Sequence, residues 1–320
     1  MRTEKIVLIA GGAGSIGGAL AERLVCAGSE SVVLVDKNEN GLEELRLRLA
    51  DKGFNNITVY VGDIRNLYHQ NRVFSKHEPD IVINAAAHKH VVSGEKNIAE
   101  TTRNNLLTTY NLLKVRLKNP TSKFVLISTD KAVEPTSVMG ASKMLCESMV
   151  REEYPKTINR NYIIRFGNVS NTQGSVLRIW ERQFKEGVPL TITDLKMRRW
   201  LMSMDDACDQ ILRVVGLDAG TYVLDMGKMY SVADILEQFL DSKDTVDYPL
   251  KFIGANVGEK DTEKLTWDKE ERTTIKIGDK TLIKVNQSPS FNYQKALTAS
   301  KTFSDESTMN CLRKQFGGLK

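Results

Sequence analysis

The residues of this 320-residue chain best equipped for chemistry are Ser128-Thr129-Asp130-Lys131, followed by Met139-Gly140-Ala141-Ser142-Lys143. An aspartate next to a lysine offers a proton donor and a proton acceptor at neighbouring positions, which is what general acid–base catalysis needs. The pair follows Lys123 to Ile127, a β-branched and aromatic run that reads as a buried strand. Open α/β sheets do their chemistry at such strand ends. A strand-end acid–base pair with a second lysine, Lys143, downstream therefore reads as a catalytic site.

A second chemical signal lies at the start of the chain. Gly11-Gly12-Ala13-Gly14-Ser15-Ile16-Gly17 follows the apolar run Ile6 to Ala10 and opens a helical pattern carrying Leu20 and Leu24. Glycines at 11, 14 and 17 let the backbone turn and approach a pyrophosphate at the helix N-terminus, with Ser15 and Ile16 in the same loop. Asp36 ends the next strand, where a carboxylate would bond an adenosine ribose 2′-hydroxyl and repel a 2′-phosphate. NAD is expected in preference to NADP. Asp63 and Ile64, after the third strand, are placed to meet the adenine, although Asp63 also reads as a helix cap. After the fourth strand, the small residues Ala85, Ala86 and Ala87 let the backbone pass close to the cofactor. Lys89, between His88 and His90, gives the adjacent cleft a cationic rim. Asn105, a poor helix former inside an amphipathic helix, is expected to bond the backbone of the fourth strand, a structural role.

These residues need a scaffold, and the hydrophobic pattern describes one. Apolar runs near 5–10, 31–36, 57–61, 80–84, 123–129 and 161–166 alternate with segments long enough for crossover helices, which predicts a Rossmann-type, doubly wound parallel α/β sheet. Residues 1–170 are expected to form the NAD-binding domain, joined by a returning segment near 204–225. Residues 171–320 are expected to supply mainly a smaller substrate-binding domain. The last 55 residues contain a hairpin-like stretch, Thr273 to Lys280, and a weakly patterned tail that reads as partly disordered.

Composition narrows the function. The chain is 41% hydrophobic and 27% charged, with a formal net charge of +5. Its basic residues are spread along the chain, so no nucleic-acid footprint is expected. Cys26, Cys146, Cys208 and Cys311 show no metal-binding or disulfide spacing, and no metal is expected. No apolar run reaches the length of about 18 residues that spans a membrane. A soluble, cytoplasmic protein is expected.

Longer strings then carry a resemblance. They are the glycine loop, Asn84-Ala85-Ala86-Ala87-His88-Lys89-His90, the whole run from Ser128 to Lys143, Arg165-Phe166-Gly167-Asn168-Val169, Gly174-Ser175-Val176, Pro189 to Asp194 and Gly258-Glu259-Lys260. In this order, over about residues 5 to 265, the chain resembles the UDP-N-acetylglucosamine 4,6-dehydratases of the extended short-chain dehydrogenase/reductase family. The resemblance implies oxidation at sugar C-4, loss of water across C-5 and C-6, and hydride return to C-6. It assigns Lys131 as the C-5 base, which burial should keep partly neutral, and Asp130 as the acid for the departing water. It gives Thr129 a bond to the C-4 oxygen and Lys143 the nicotinamide ribose. Substrate contacts are implied for Lys89, Met139, Asn168, Ser175, Val176, Thr191, Arg199 and Glu259. Whether Arg198 or Arg199 reaches phosphate stays open.

Met139 stands where related reductases carry the tyrosine of Tyr-x-x-x-Lys, and a thioether neither gives nor takes a proton. One dehydratase branch also has methionine here, which implies that Asp130 with Thr129 handles the C-4 hydroxyl proton and that C-5 configuration is retained. The alternatives are a C-5-inverting dehydratase, a nucleotide-sugar 4-epimerase and a non-catalytic NAD-binding regulator. Relatives pair through the helices near 98–117 and 137–152, so a homodimer or higher oligomer with a four-helix contact is expected.

Overall fold

The computed structural model describes residues 6–152 and 160–319. Its first half alternates strand and helix: β1 (Ile6–Ala10), α1 (Ser15–Cys26), β2 (Ser31–Asp36), α2 (Glu39–Asp51), β3 (Ile57–Val61), α3 (Leu67–His77), β4 (Ile81–Asn84), α4 (Val91–Lys96), α5 (Ile98–Arg116), β5 (Lys123–Ile127), α6 (Val138–Glu152) and β6 (Asn161–Arg165). Short strands then appear between helices: β7 (Asn168–Val169), α7 (Val176–Lys185), β8 (Leu190–Ile192), β9 (Arg198–Met202), α8 (Met204–Val215), β10 (Gly220–Val223), β11 (Met229–Ser231), α9 (Val232–Asp241) and β12 (Leu250–Phe252). The chain closes with β13 (Glu271–Ile277), β14 (Lys280–Gln287), α10 (Tyr293–Lys301) and α11 (Asp305–Phe316).

The main sheet has nine strands in the order β13-β14-β10-β6-β5-β4-β1-β2-β3. From β3 to β10 every neighbouring pair is parallel. The Val- and Ile-rich strands are buried on both faces, as crossover helices require. One face packs against α1, α2 and α8 through Leu20, Leu24, Leu42, Leu49 and Ile211. The other packs against α3, α5 and α6 through Phe74, Leu106, Leu112, Leu145 and Met149. The expected doubly wound fold is present, with the order reversing between β1 and β4, the crevice in which such sheets bind ligands. A separate cluster of Trp180, Leu190, Ile192, Ile235, Leu236 and Phe239 gives the smaller lobe its own core.

The C-terminal region departs from expectation. The hairpin β13–β14 extends the main sheet antiparallel to β10, turning at Gly278 (φ 62°). The tail beyond it is helical, and Leu297, Met309 and Leu312 join the core against α5 and α6. Residues 271–319 thus belong to the sheet and its helical layer. Weak periodicity hid α10 and α11 because half their surface meets solvent. Helices α5, α6, α10 and α11 pack together within the chain. Asp305 accepts the Ala99 amide at 2.7 Å, Ser148 accepts that of Phe291 at 3.1 Å, and Arg103 stacks on Phe303.

Candidate active site

The turn that carries Asp130 and Lys131 is a continuation of β5. The Ser128 and Asp130 amides still donate to Ile164 and Phe166 of the neighbouring strand, at 2.7 and 3.0 Å, before residues Asp130–Ala132 wind into a single 3₁₀ turn. Gly140 lets α6 lie against this turn, since a Cβ there would collide with the Lys131 carbonyl. Asp130 is fully buried. Its Oδ1 accepts hydrogen bonds from Thr129 Oγ1 at 2.9 Å and Lys131 Nζ at 3.0 Å, and Lys131 also donates to Asn168 Oδ1 at 3.1 Å. Asp130 Oδ2 has no partner. Buried polar atoms are rarely left unpaired, and this oxygen is one of the few exceptions among the described residues; Asp130 itself does not line the cavity described below.

Lys131 corrects one expectation. Burial pushes its ammonium pKa down, but the charges of Asp130 and Glu263 outweigh burial, and the net shift is upward. The lysine rests protonated beside two carboxylates. Lys143, fully surrounded by protein, shifts the other way: burial lowers it, with its Nζ donating to the Ile127 carbonyl at 2.5 Å. Met139 is buried four residues before it and lines the same cavity.

The glycine loop forms a cradle closed to larger residues. Gly11 has φ 85°, and a Cβ there would lie 2.7 Å from the Ala86 amide nitrogen, while one on Gly17 would strike the Gly11 carbonyl. Gly14 caps α1 without a side chain across its amides, which leaves the helix N-terminus open toward an anion. Asp36 accepts the Ala13 and Asn38 amides at 3.1 and 3.0 Å, fixing its carboxylate at the end of β2. Ser15 ties this loop to the second lobe by accepting the Gln173 amide at 3.0 Å. Asp63 is paired with Arg65, which continues to Glu100, and the cap of α3 is Asn66 rather than Asp63. Ile64 packs into the core. Asn105 bonds both the amide and the carbonyl of His88 and so fixes the backbone beyond β4.

A cavity of about 570 Å³ joins these parts. Ile16, Ala85, Ala87, Lys89, Thr129, Lys131, Met139 and Lys143 line it from the sheet side. Asn168, Ser175, Val176, Thr191, Arg199 and Glu259 line it from the smaller lobe. Burial lowers the Lys89 pKa, helped by the nearby charge of Arg178. Of the two neighbouring arginines, Arg199 faces the cavity, while Arg198 pairs with β11 and is exposed. Arg199 is steadied by the carbonyls of Arg198 and Asp261 at 2.9 and 3.2 Å. Thr191 is held by Gln183 and Glu259 by Asn256. The Ser175 hydroxyl, at the start of α7, is a second buried polar group without a partner.

Two site residues escaped the sequence reading. Gly167 faces Asp130, and a Cβ there would lie 3.1 Å from Oδ2 and 2.6 Å from the Trp200 Cβ. Glu263, buried at 4% exposure, places Oε1 3.7 Å from Lys131 Nζ. Neither has a local pattern that announces it, although Gly167 stood within a matched string. Among the described residues there is no cluster of side chains able to hold a metal, and no helix long and apolar enough to cross a membrane. The four cysteines are free.

Comparison with known proteins agrees with this geometry. The chain is 33% identical over 270 residues to the capsular polysaccharide biosynthesis protein CapD of Staphylococcus aureus, covering 82% of this chain but only 45% of that relative. The X-ray structure of Pen from Bacillus thuringiensis superposes with a TM-score of 0.81 at 29% identity, over 92% of this chain and 90% of Pen. The NAD complex of dTDP-glucose 4,6-dehydratase from Bacillus anthracis shares the fold, with a TM-score of 0.70 at 17% identity over 82% of this chain and 88% of its own. The polysaccharide biosynthesis protein family matches residues 7–285, which takes in both lobes, the turn that carries Asp130 and Lys131, and every cavity-lining residue named above, and the chain belongs to that family.

Proposed function

We propose that this chain is an NAD-dependent UDP-N-acetylglucosamine 4,6-dehydratase that yields a 4-keto-6-deoxy sugar nucleotide with C-5 configuration retained. The observation that carries the reading is the Asp130–Lys131 pair: Thr129 and Lys131 line the cavity beside Met139, and Asp130, buried and not itself lining it, is bonded to both. The glycine loop, Asp36 and the small residues Ala85–Ala87 fit a dinucleotide, because the space left at Gly11 and Gly17 admits no side chain. Lys143 and the end of β5 would meet its nicotinamide half. A bound NAD would supply the acceptor for the C-4 hydride and its return at C-6.

The protein's own groups handle the protons. Asp130, supported by Thr129, takes the C-4 hydroxyl proton and delivers it to the departing C-6 hydroxyl, so one carboxylate serves both oxygens. Lys131 removes the C-5 proton, acidified by the C-4 ketone, and returns it to the same face, which retains configuration. Asn168 keeps Lys131 aimed at the cavity. Ser175 at the α7 N-terminus, Arg199 and Lys89 would neutralise the diphosphate, with Thr191 and Glu259 toward the nucleoside.

Incubation with UDP-N-acetylglucosamine tests the reading. A product lighter by one water supports it, and a galacto epimer of unchanged mass or no reaction overturns it. Proton NMR of the product reports the C-5 configuration. Asp130→Asn is expected to abolish turnover with NAD still bound, and retained dehydration by that variant would sink the role given to Asp130.

A further inference from the structure

Lys131 presents a difficulty that the proposed reaction must overcome. A base that removes a carbon-bound proton has to be neutral, yet this lysine faces two carboxylates and rests charged. Its surplus proton needs an acceptor inside the cavity. Asp130 is the nearer carboxylate at 3.0 Å, but in the dehydratase reading it must be ionised to receive the C-4 hydroxyl proton. Glu263 is the other. Its Oε1 lies 3.7 Å from Lys131 Nζ, and its Oε2 is buried without a hydrogen bond, the nearest cation being Lys260 Nζ at 3.4 Å. Lys260 spends its own short bond on the Val133 carbonyl at 2.7 Å. The oxygen that faces Lys131 is Oε1, which accepts no hydrogen bond among the described residues, so it can take a proton without losing one.

We propose that Glu263 is a positioning residue that accepts the surplus proton of Lys131 and holds it through each turnover, freeing the amine to act as the C-5 base. One N–H bond of the Lys131 ammonium breaks and one O–H bond forms at Glu263, converting a buried ion pair into a neutral pair with no proton exchanged with solvent. The charged groups facing the pair are Asp130 from the end of β5, Arg199 from β9 and Lys260 from the Glu263 segment. Because the transfer is internal, the fraction of active tautomer does not change with pH while the three groups together keep the same proton count.

This inference rests on the dehydratase reading, and the test separates the two. Water loss from UDP-N-acetylglucosamine is followed from about pH 6 to about pH 10. Wild-type enzyme is expected to show a broad plateau. In Glu263→Gln the amide cannot accept a proton, so Lys131 must lose its own to solvent. The variant's rate is expected to fall at neutral pH and to climb by about tenfold per pH unit toward alkaline pH, while Glu263→Asp keeps the plateau. Parallel profiles for wild type and Glu263→Gln overturn the inference, as does Glu263→Gln that is inactive at every pH with its NAD content intact. If Glu263→Gln does not fold, loss of the plateau in Glu263→Asp overturns it. Absence of water loss by the wild type overturns the dehydratase reading instead.

Discussion

At the scale of single residues, the site turns on how little room surrounds Asp130. Gly167 faces its unpartnered oxygen, and a Cβ there meets the rigid Trp200 Cβ at 2.6 Å rather than a flexible chain end. Gly167→Ala must therefore move backbone, and a displacement of about 1 Å at a catalytic group costs roughly a hundredfold. Turnover is expected to fall by about that factor with NAD content unchanged, measured by water loss and by cofactor absorbance. A fall in bound cofactor instead would place the damage in the glycine loop. Asp130 and Lys131 were legible because their types stand at a strand end, and Lys143 because it falls in the string that follows. Glu263 was not, because it lies 132 positions from Lys131 and only the fold brings them together.

At the scale of elements, one buried ion cluster holds the catalytic strand to its surroundings. Arg165 of β6 donates to both oxygens of Glu147 on α6 and both of Glu270 before β13, at 2.7 to 3.1 Å, and all three side chains are fully buried. Glu147 also accepts from Ser128, adjacent to Thr129, at 2.6 Å. Removing one partner strands an opposite charge in the interior, which costs about 3–5 kcal/mol. Arg165→Met is expected to destabilise by that amount in urea denaturation, whereas a change within about 0.5 kcal/mol would show that the cluster carries no net stability. Burial pushes the Glu147 carboxyl up, but Arg165, with Arg151 and Ser128 adding to it, holds it below its ordinary value. A group depressed in the folded state stabilises above its unfolded pKa and loses that contribution as pH falls through the folded one. Stability should therefore decline on acidification below the ordinary glutamate range, and less steeply in Glu147→Gln when stability is followed against pH.

At the scale of the whole molecule, the C-terminal region changes what the helical layer is for. The apolar faces of α5 and α6, expected to meet a second copy, are covered by α10 and α11 of the same chain. Leu312 is fully buried there, and Leu312→Ala is expected to cost about 2–5 kcal/mol, read as a lowered unfolding midpoint. Removing residues 289–320 should expose the α5–α6 surface, giving dye binding or association in light scattering. A truncated chain with the same association state and the same stability as the full one would show that α10 and α11 are dispensable.

The sequence by itself determined the parallel sheet, the glycine loop and the place of the Asp130–Lys131 pair, because each is written in contiguous residues: a hydrophobic run, a glycine spacing, a strand end. It also determined the residues of the smaller lobe that line the cavity, through strings that match over most of the chain. Tertiary structure decided what depends on distant segments meeting. It brought Glu263 from a distant segment to Lys131, beside the neighbouring Asp130. It chose Arg199 over Arg198, since strand pairing turns one toward the cavity and the other away. It also ordered the polar tail, whose helices have little apolar pattern of their own and gain their stability from the faces of α5 and α6 on which they pack.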